Sequence, residues 1–308
     1  MQIRTDLAME SRDFAQGLSG ISMHSRQRRA IKETHVCIET EEAARALDKA
    51  RGTYITLAHP SLARCSAEDR MEMARAICEG LRTMLPPSGD LLVVGLGNRY
   101  MTADALGNRV LEDLLVTRHL KKLTDESLYG RLRSVCAAAP GVLGVTGMET
   151  AEVVQGIVEH VHPAAVIAID ALAARESSRI CTTVQITDTG IRPGSGVGNH
   201  RAGLTMETLG VPVIAIGVPM VVYAAVIARD ALSLLLGDIG INESEHAQAI
   251  DTLMEKLARQ GMGEMVVTPR EVDELVGRVG RIIADGLNMA FQTRLTEEEI
   301  QMLSYDKP

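Results

Sequence analysis

The stretch that most constrains this chain is residues 91–116, LLVVGLGNRYMTADALGNRVLEDLLV. An unbroken apolar run, 91–94, reads as a strand buried on both faces. Gly95, Gly97 and Asn98 follow at once, residue types that tolerate the tight turn a strand needs to run into a helix. Apolar residues then recur at Leu106, Val110, Leu111, Leu114 and Leu115, which is helical spacing. One carboxylate, Asp104, stands in the otherwise neutral loop between strand and helix. In open α/β sheets, ligands and chemistry gather outside the carboxyl ends of the strands, which makes Asp104 the first candidate residue.

The core has to be aliphatic. Hydrophobic residues make up 46% of the chain, but there are only five Tyr, two Phe and no Trp. That composition suits helices packed on a largely parallel sheet. A net charge of −8 argues against nucleic acid or an anionic membrane as the main partner. Five widely spaced cysteines without a C-x-x-C pair read as reduced thiols. Charges interrupt the N-terminus where a signal peptide would carry its apolar run, and no stretch is apolar enough to span a bilayer. The expectation is a soluble cytoplasmic protein.

Residues 1–35 are polar, with a basic cluster at Arg26, Arg28, Arg29 and Lys32, and read as an extended arm with a solvated face. A short helix (41–51) and a strand (53–57) follow. Ser66 and Asp69 open an amphipathic helix through about Met84, and the break Pro86-Pro87-Ser88-Gly89 precedes the strand at Leu91. Further on, AVIAID (165–170) and VPVIAIG (211–217) read as buried strands, while the alternating TTVQIT (182–187) reads as an edge or half-exposed strand. Thr146 and Glu149 have capping-box spacing for a helix to about His160, residues 221–236 read as a helix, and Thr268-Pro269-Arg270-Glu271 reads as the start of a long C-terminal helix. The pattern predicts a three-layer α/β fold, a mainly parallel, mixed sheet with helices on both faces. The expected division is a main domain over 90–308 preceded by a small α/β region.

Several familiar motifs fail on inspection. Gly95-x-Gly97 lacks the third glycine of a dinucleotide fingerprint, since position 100 is Tyr, and no G-K-[ST] is present. Ser195, in Gly194-Ser195-Gly196, does not form a nucleophile elbow. His160 and His162 fall at a helix end, where the dipole alone favours them. Asp188-Thr-Gly is ordinary turn chemistry. Asp170 differs, because six apolar residues precede it: it is either a helix N-cap or an acid at a strand mouth. If the strands before Asp104 and Asp170 are neighbours, the two acids can share a site. Two carboxylates held close do not both ionise easily, so one can accept a proton from water while the other donates one. Such a pair suits peptide hydrolysis without a covalent intermediate.

At these residues the chain resembles the germination protease family of spore-forming bacteria. The resemblance rests on IRTDLA (3–8), GLGN, TADALG and LLVTRHL within 93–120, PGVLGVTGMET (140–150), IAIDALAAR (167–175), PGSGVGN (193–199), ETLGVPVIAIGVP (207–219) and VTPREVD (267–273). It implies a fold related to the hydrogenase-maturation endopeptidases, catalysis by Asp104 and Asp170, and small acid-soluble spore proteins as substrates in the spore interior. It further implies a homotetramer, no metal or other cofactor, and a zymogen that cuts itself between Asp6 and Leu7, removing residues 1–6 and leaving 7–89 as the N-terminal region. The glycine-rich loops, Gly95, Gly97 and Asn98 with Gly194, Ser195, Gly196 and Asn199, are then candidates for admitting a substrate backbone. The chain departs from the family pattern at Met220 and Tyr223 and is shorter over 237–261. Two other readings of the same scaffold are a metal-dependent maturation endopeptidase and a non-catalytic binding protein.

Overall fold

The computed structural model describes residues 19–122, 130–192, 202–240 and 265–305, with isolated positions between 250 and 257. Its centre is the predicted run 91–94: β4 (Leu91–Gly95) is buried at every position, Leu91 and Val93 towards one face and Leu92 and Val94 towards the other. Among the described residues the strands form one nine-stranded sheet, in the order β1-β2-β3-β7-β8-β6-β4-β5, with β9 paired to β8. The strands β5 (Val135–Ala138), β6 (Ala165–Ala174) and β8 (Val213–Tyr223) run parallel with β4 in the order β8-β6-β4-β5. The other half, β1 (Ile21–Arg28), β2 (Ile31–Ile38), β3 (Gly52–Ala58) and β7 (Thr183–Thr187), is antiparallel throughout and joins at β8. The two-residue β9 (Val266–Val267) pairs antiparallel with the end of β8.

Helices cover both faces. On one lie α2 (Ala67–Arg82), α3 (Leu106–Asp113) and the long α8 (Val272–Phe291), packed on Leu57, Val93, Ile167 and Ile216. On the other, α5 (Thr150–Val161) and α6 (Met206–Leu209) cover Leu92, Val94 and Val166, while α1 (Glu41–Leu47) covers Val36 and Tyr54. The short α4 (Leu143–Thr146), α7 (Ala224–Asp238) and α9 (Glu297–Tyr305) complete the set described. Gly286 sets the crossing of α8 over α2: a Cβ there would lie 2.8 Å from Ile77 Cγ2 and 2.9 Å from Ala74 O. Truncating buried Ile77 in such packing costs about 2–5 kcal/mol.

Local sequence explains the element ends. Ser66 caps α2, accepting from Asp69 N at 3.0 Å as its spacing predicts. The capping box of α5 lies one turn later than the Thr146–Glu149 spacing suggests and joins Glu149 to Glu152, because 143–146 form their own turn ending at Gly147. Thr268 does not cap α8. Its hydroxyl donates to Met220 O at 2.9 Å, and the helix begins at Val272. Nor does the helix expected from residue 221 begin there: β8 continues to Tyr223, which stands at the N-cap of α7 without a side-chain capping bond. Met220 is the extra residue of a bulge in β8, since Leu172 pairs with Pro219 and Ala173 with Val221, and its side chain is buried against Cys181.

The polar N-terminal stretch is not an arm over residues 21–38 but a hairpin at the sheet edge. Its basic cluster is lashed to α2 rather than simply solvated: Arg28 pairs with Glu72 and, at 2.6 Å, with Glu79, and Arg29 with Glu68 at 3.1 Å. Arg26 reaches Glu33 at 2.9 Å on the neighbouring strand. The alternating strand 182–187 is likewise not an edge. As β7 it lies between β3 and β8 with all five positions buried, Thr183, Gln185 and Thr187 included.

Candidate active site

The site is built where β4 stops and its neighbour continues. The last pairing of β4 with β6 is Gly95 opposite Ile169, followed by one more bond from Leu96 N to Ile169 O at 2.8 Å. Asp170 is the next residue of β6. Beyond it β6 runs on to Ala174, because β8 on its other side pairs with it through Val222. Asp170 therefore lies within a strand and not at a helix N-terminus, which removes its N-cap reading. It is 6% exposed, and its Oδ1 accepts from the Ala171 N–H at 3.0 Å.

Asp104 reaches the same end of the sheet from the loop after β4. The loop turns at Gly97, whose φ is +92°, and a Cβ there would lie 1.9 Å from Asp104 O. Only glycine fits such a turn. Asn98 N then donates to Asp104 Oδ2 at 2.7 Å, and Asn108 Nδ2 donates to Gly97 O at 3.3 Å, fixing both sides of the loop. Asp104 closes a helical turn, Thr102–Asp104, that packs against β6, β8 and α8. The start of α3 seats directly on the strand ends, since a Cβ on Gly107 would meet Leu96 N at 2.4 Å and Ile169 O at 2.5 Å.

A row of polar residues extends from Asp170 across the sheet. Asp170 pairs with Gly217, Gly217 with Gln185, Gln185 with Thr56, Thr56 with Thr34, and Thr34 with Ser25. Directly paired residues present their side chains on one face, so these share the face of Asp170. Thr34, Thr56 and Gln185 are buried, and Thr56 Oγ1 has no hydrogen-bond partner. Single-strand patterns conceal this row, because its members come from five separate segments. Asp170, Gln185 and Thr56 share one signal, a polar residue in the middle of an otherwise apolar or β-branched run, whereas Thr34 and Ser25 lie among other polar residues and carry none.

Apolar side chains rim the same end of the sheet. Tyr100 (77% exposed) and Met101 precede Asp104, and Leu143, Val145 and Met148 follow β5. The other candidates go elsewhere. Asp188 Oδ1 accepts from Thr53 N at 2.8 Å as a turn residue, and His162 ends α5 in a left-handed conformation. Burial pushes the Cys181 thiol up to about 12, which leaves it unreactive. Among the described residues no group of three or more His, Cys, Asp or Glu could hold a metal. Gly194, Ser195, Gly196 and Asn199, and the processing pair Asp6 and Leu7, lie outside the described residues.

A family model described as Germination protease matches residues 2–262. The chain belongs to the germination protease family. The germination protease of Clostridium acetobutylicum is 41% identical over 97% of this chain and 98% of its own length. That of Caldanaerobacter subterraneus is 41% identical over 98% of both chains, and that of Bacillus cytotoxicus 36% identical over 96% and 95%. Among solved structures, a [NiFe] hydrogenase maturation protease HycI from Thermococcus kodakarensis matches at a TM-score of 0.33 and 16% identity, covering 68% of this chain and 98% of its own. As a germination protease family member the chain is a peptidase, a hydrolase acting on peptide bonds. No helix among the described residues is long and apolar enough to cross a membrane.

Proposed function

We propose that this peptidase is the endopeptidase that opens the degradation of small acid-soluble spore proteins at germination, with Asp104 and Asp170 as its catalytic pair. The observation that carries the pair is the end of β4: Asp170 is the first β6 residue past the last β4 contact, and the turn bearing Asp104 packs on β6. One carboxylate takes a proton from water as the water oxygen attacks the scissile carbonyl carbon. The other, protonated, steadies the carbonyl oxygen and passes its proton to the departing amine as the C–N bond breaks. The exposed Tyr100 and Met101 give an extended substrate an apolar edge beside these acids.

The same reading makes the protein a zymogen of the spore interior that cuts itself between Asp6 and Leu7, since Thr5-Asp6-Leu7-Ala8-Met9-Glu10 resembles the substrate sequence Thr-Glu-Phe-Ala-Ser-Glu. It also makes the working form a homotetramer that needs no metal.

Mass spectrometry of peptide cleavage tests the proposal. Protein lacking residues 1–6 is incubated with a peptide containing Thr-Glu-Phe-Ala-Ser-Glu, beside Asp104→Asn and Asp170→Asn variants and a chelator arm. A single cut after the first Glu, lost in both variants and indifferent to chelator, is expected. Loss of cutting on chelation would make the acids metal ligands, as in a maturation endopeptidase. Tight peptide binding with no cut under any condition would leave a binding protein.

A further inference from the structure

At the end of the sheet opposite the two aspartates, a pocket of about 440 Å³ opens between the 86–90 loop, the start of β5 and the C-terminal end of α8. Its volume lies within the range of small-molecule sites. Arg82, Arg133 and Arg294 line it. All the hydrogen-bond partners of these three guanidinium groups are backbone carbonyls: Met289 for Arg82, Pro86, Ser88 and Gly89 for Arg133, and Gly130 for Arg294. None of the three has a carboxylate within ion-pair distance among the described residues. Asp90 and Arg131 line the pocket as well, each with an ion pair of its own, Asp90 with Arg118 at 3.7 Å and Arg131 with Glu299 at 2.8 Å.

Helix dipoles account for part of this charge, since α2 and α8 both end here. Each helix C-terminus is worth about half a negative charge, so two of them offset one guanidinium of the three. Burial pulls the Arg133 guanidinium below its ordinary pKa, and nothing beside it pulls the other way. Ser134 also lines the pocket: it is 7% exposed, and its hydroxyl makes no hydrogen bond. A buried hydroxyl left unpaired is destabilising, and a ligand oxygen would supply the missing bond. All this stands on a chain of net charge −8, where unpaired cations in one place are not a consequence of composition.

We infer that this pocket is a binding site for a small oxyanion of one to two negative charges, held by Arg82, Arg133 and Arg294 with the Ser134 hydroxyl as a further donor. Guanidinium forks match the paired oxygens of phosphate and carboxylate alike. Phosphate and succinate are therefore the two probes, and the better of them names the ligand class. Because the pocket lies away from Asp104 and Asp170, it holds or fails independently of the proposed peptidase mechanism.

Isothermal calorimetry and thermal melting of the full chain, with ionic strength held constant by chloride, test it. The expected result is saturable binding of phosphate or succinate with a rise in Tm. In Arg82→Gln/Arg294→Gln, both exposed positions, affinity is expected to fall at least tenfold while Tm without ligand stays within about 2 °C of the parent. Ser134→Ala, which also cures the unpaired hydroxyl, should weaken binding without lowering Tm. A response that chloride reproduces, one that does not saturate, or one unchanged in the double variant would overturn the assignment.

Discussion

The backbone N–H of Asn98 donates to Asp104 Oδ2 at 2.7 Å, so the acid proposed to act on water also closes the loop that carries it. The two roles separate by substitution. In Asp104→Asn the amide oxygen can still accept from Asn98, and only the charge is lost. Peptide cleavage should fall by at least 10³-fold, with a denaturation midpoint close to the parent's. Asp104→Ala removes the acceptor as well and should cost about 1–2 kcal/mol of stability on top of the same loss of activity. Urea melts beside single-turnover cleavage distinguish the two variants. Full activity in Asp104→Asn would exclude it from the chemistry.

Gly97 offers a test of placement that leaves every functional group intact. Alanine there must adopt φ near +92° and would set its Cβ against Asp104 O. Left-handed strain alone costs about 1–3 kcal/mol, and the overlap displaces the Asp104 turn further. Gly97→Ala should therefore lower kcat by a larger factor than it raises KM, and lower the melting midpoint together with it. Unchanged kcat would show that the exact seat of Asp104 does not matter.

Those features of the site that were legible came from contiguous sequence. The run 91–94, the two turn glycines and the helix after Asp104 follow one another without interruption, and the structure keeps them in that form. The hairpin at 21–38 carried no such signal. Its turn is Arg29-Ala30, with Arg29 at φ +51°, in place of the Asn-Gly or Asp-Gly pair that marks a two-residue hairpin. Residues 182–187 misled for another reason. Alternation reports that two faces differ chemically, not that one of them meets solvent, and here the polar face of β7 is closed inside the protein. The extension of β6 past Asp170 is illegible because it depends on β8 remaining alongside, a pairing such as Ala171 with Val218 or Ala174 with Val222 that no local pattern contains.

The polar row running from Asp170 makes a prediction at Thr56. Its hydroxyl is buried without a partner, so Thr56→Val should leave stability unchanged or raise it by up to about 1 kcal/mol. If the row serves the site, kcat/KM falls in this variant while the fold gains. Chemical denaturation and cleavage kinetics on the same preparation provide both readings. A loss of stability beyond 1 kcal/mol would show that the hydroxyl is bonded in solution and the row is structural.

Glu33 sets an acid limit on the hairpin. Burial pushes its carboxyl up, but hydrogen bonds from Arg26 and His35, together with their charges, overcome this and hold it below the usual carboxylate range. A carboxyl with a lowered folded pKa stabilises fully above its unfolded pKa, near 4.3, and that contribution is lost as pH falls through the folded value. Glu33→Gln should thus melt lower than the parent at pH 7, with the difference shrinking below about pH 4. Melting curves from pH 3 to 7 measure it. A constant difference across that range would mean that the ionised carboxylate contributes nothing.

Self-association is predicted to run through α7. That helix buries Ala224, Ala225 and Val226 at its start, but further along Leu234 is 72% exposed, and Leu235 and Ile239 are more than half exposed. Three large aliphatic side chains in water on one helix end forgo about 1.5–3 kcal/mol each that burial against another subunit would supply. For a homotetramer held by this surface, Leu234→Glu/Leu235→Glu should lower the mass measured by light scattering to that of a dimer or monomer, with helix content unchanged. The pocket lined by Arg82 and Arg294 and the acids at the end of β4 are untouched by the substitution, so phosphate binding and any residual cleavage report whether the subunit itself remains folded. A variant that keeps the parent's mass would move the interface to another face.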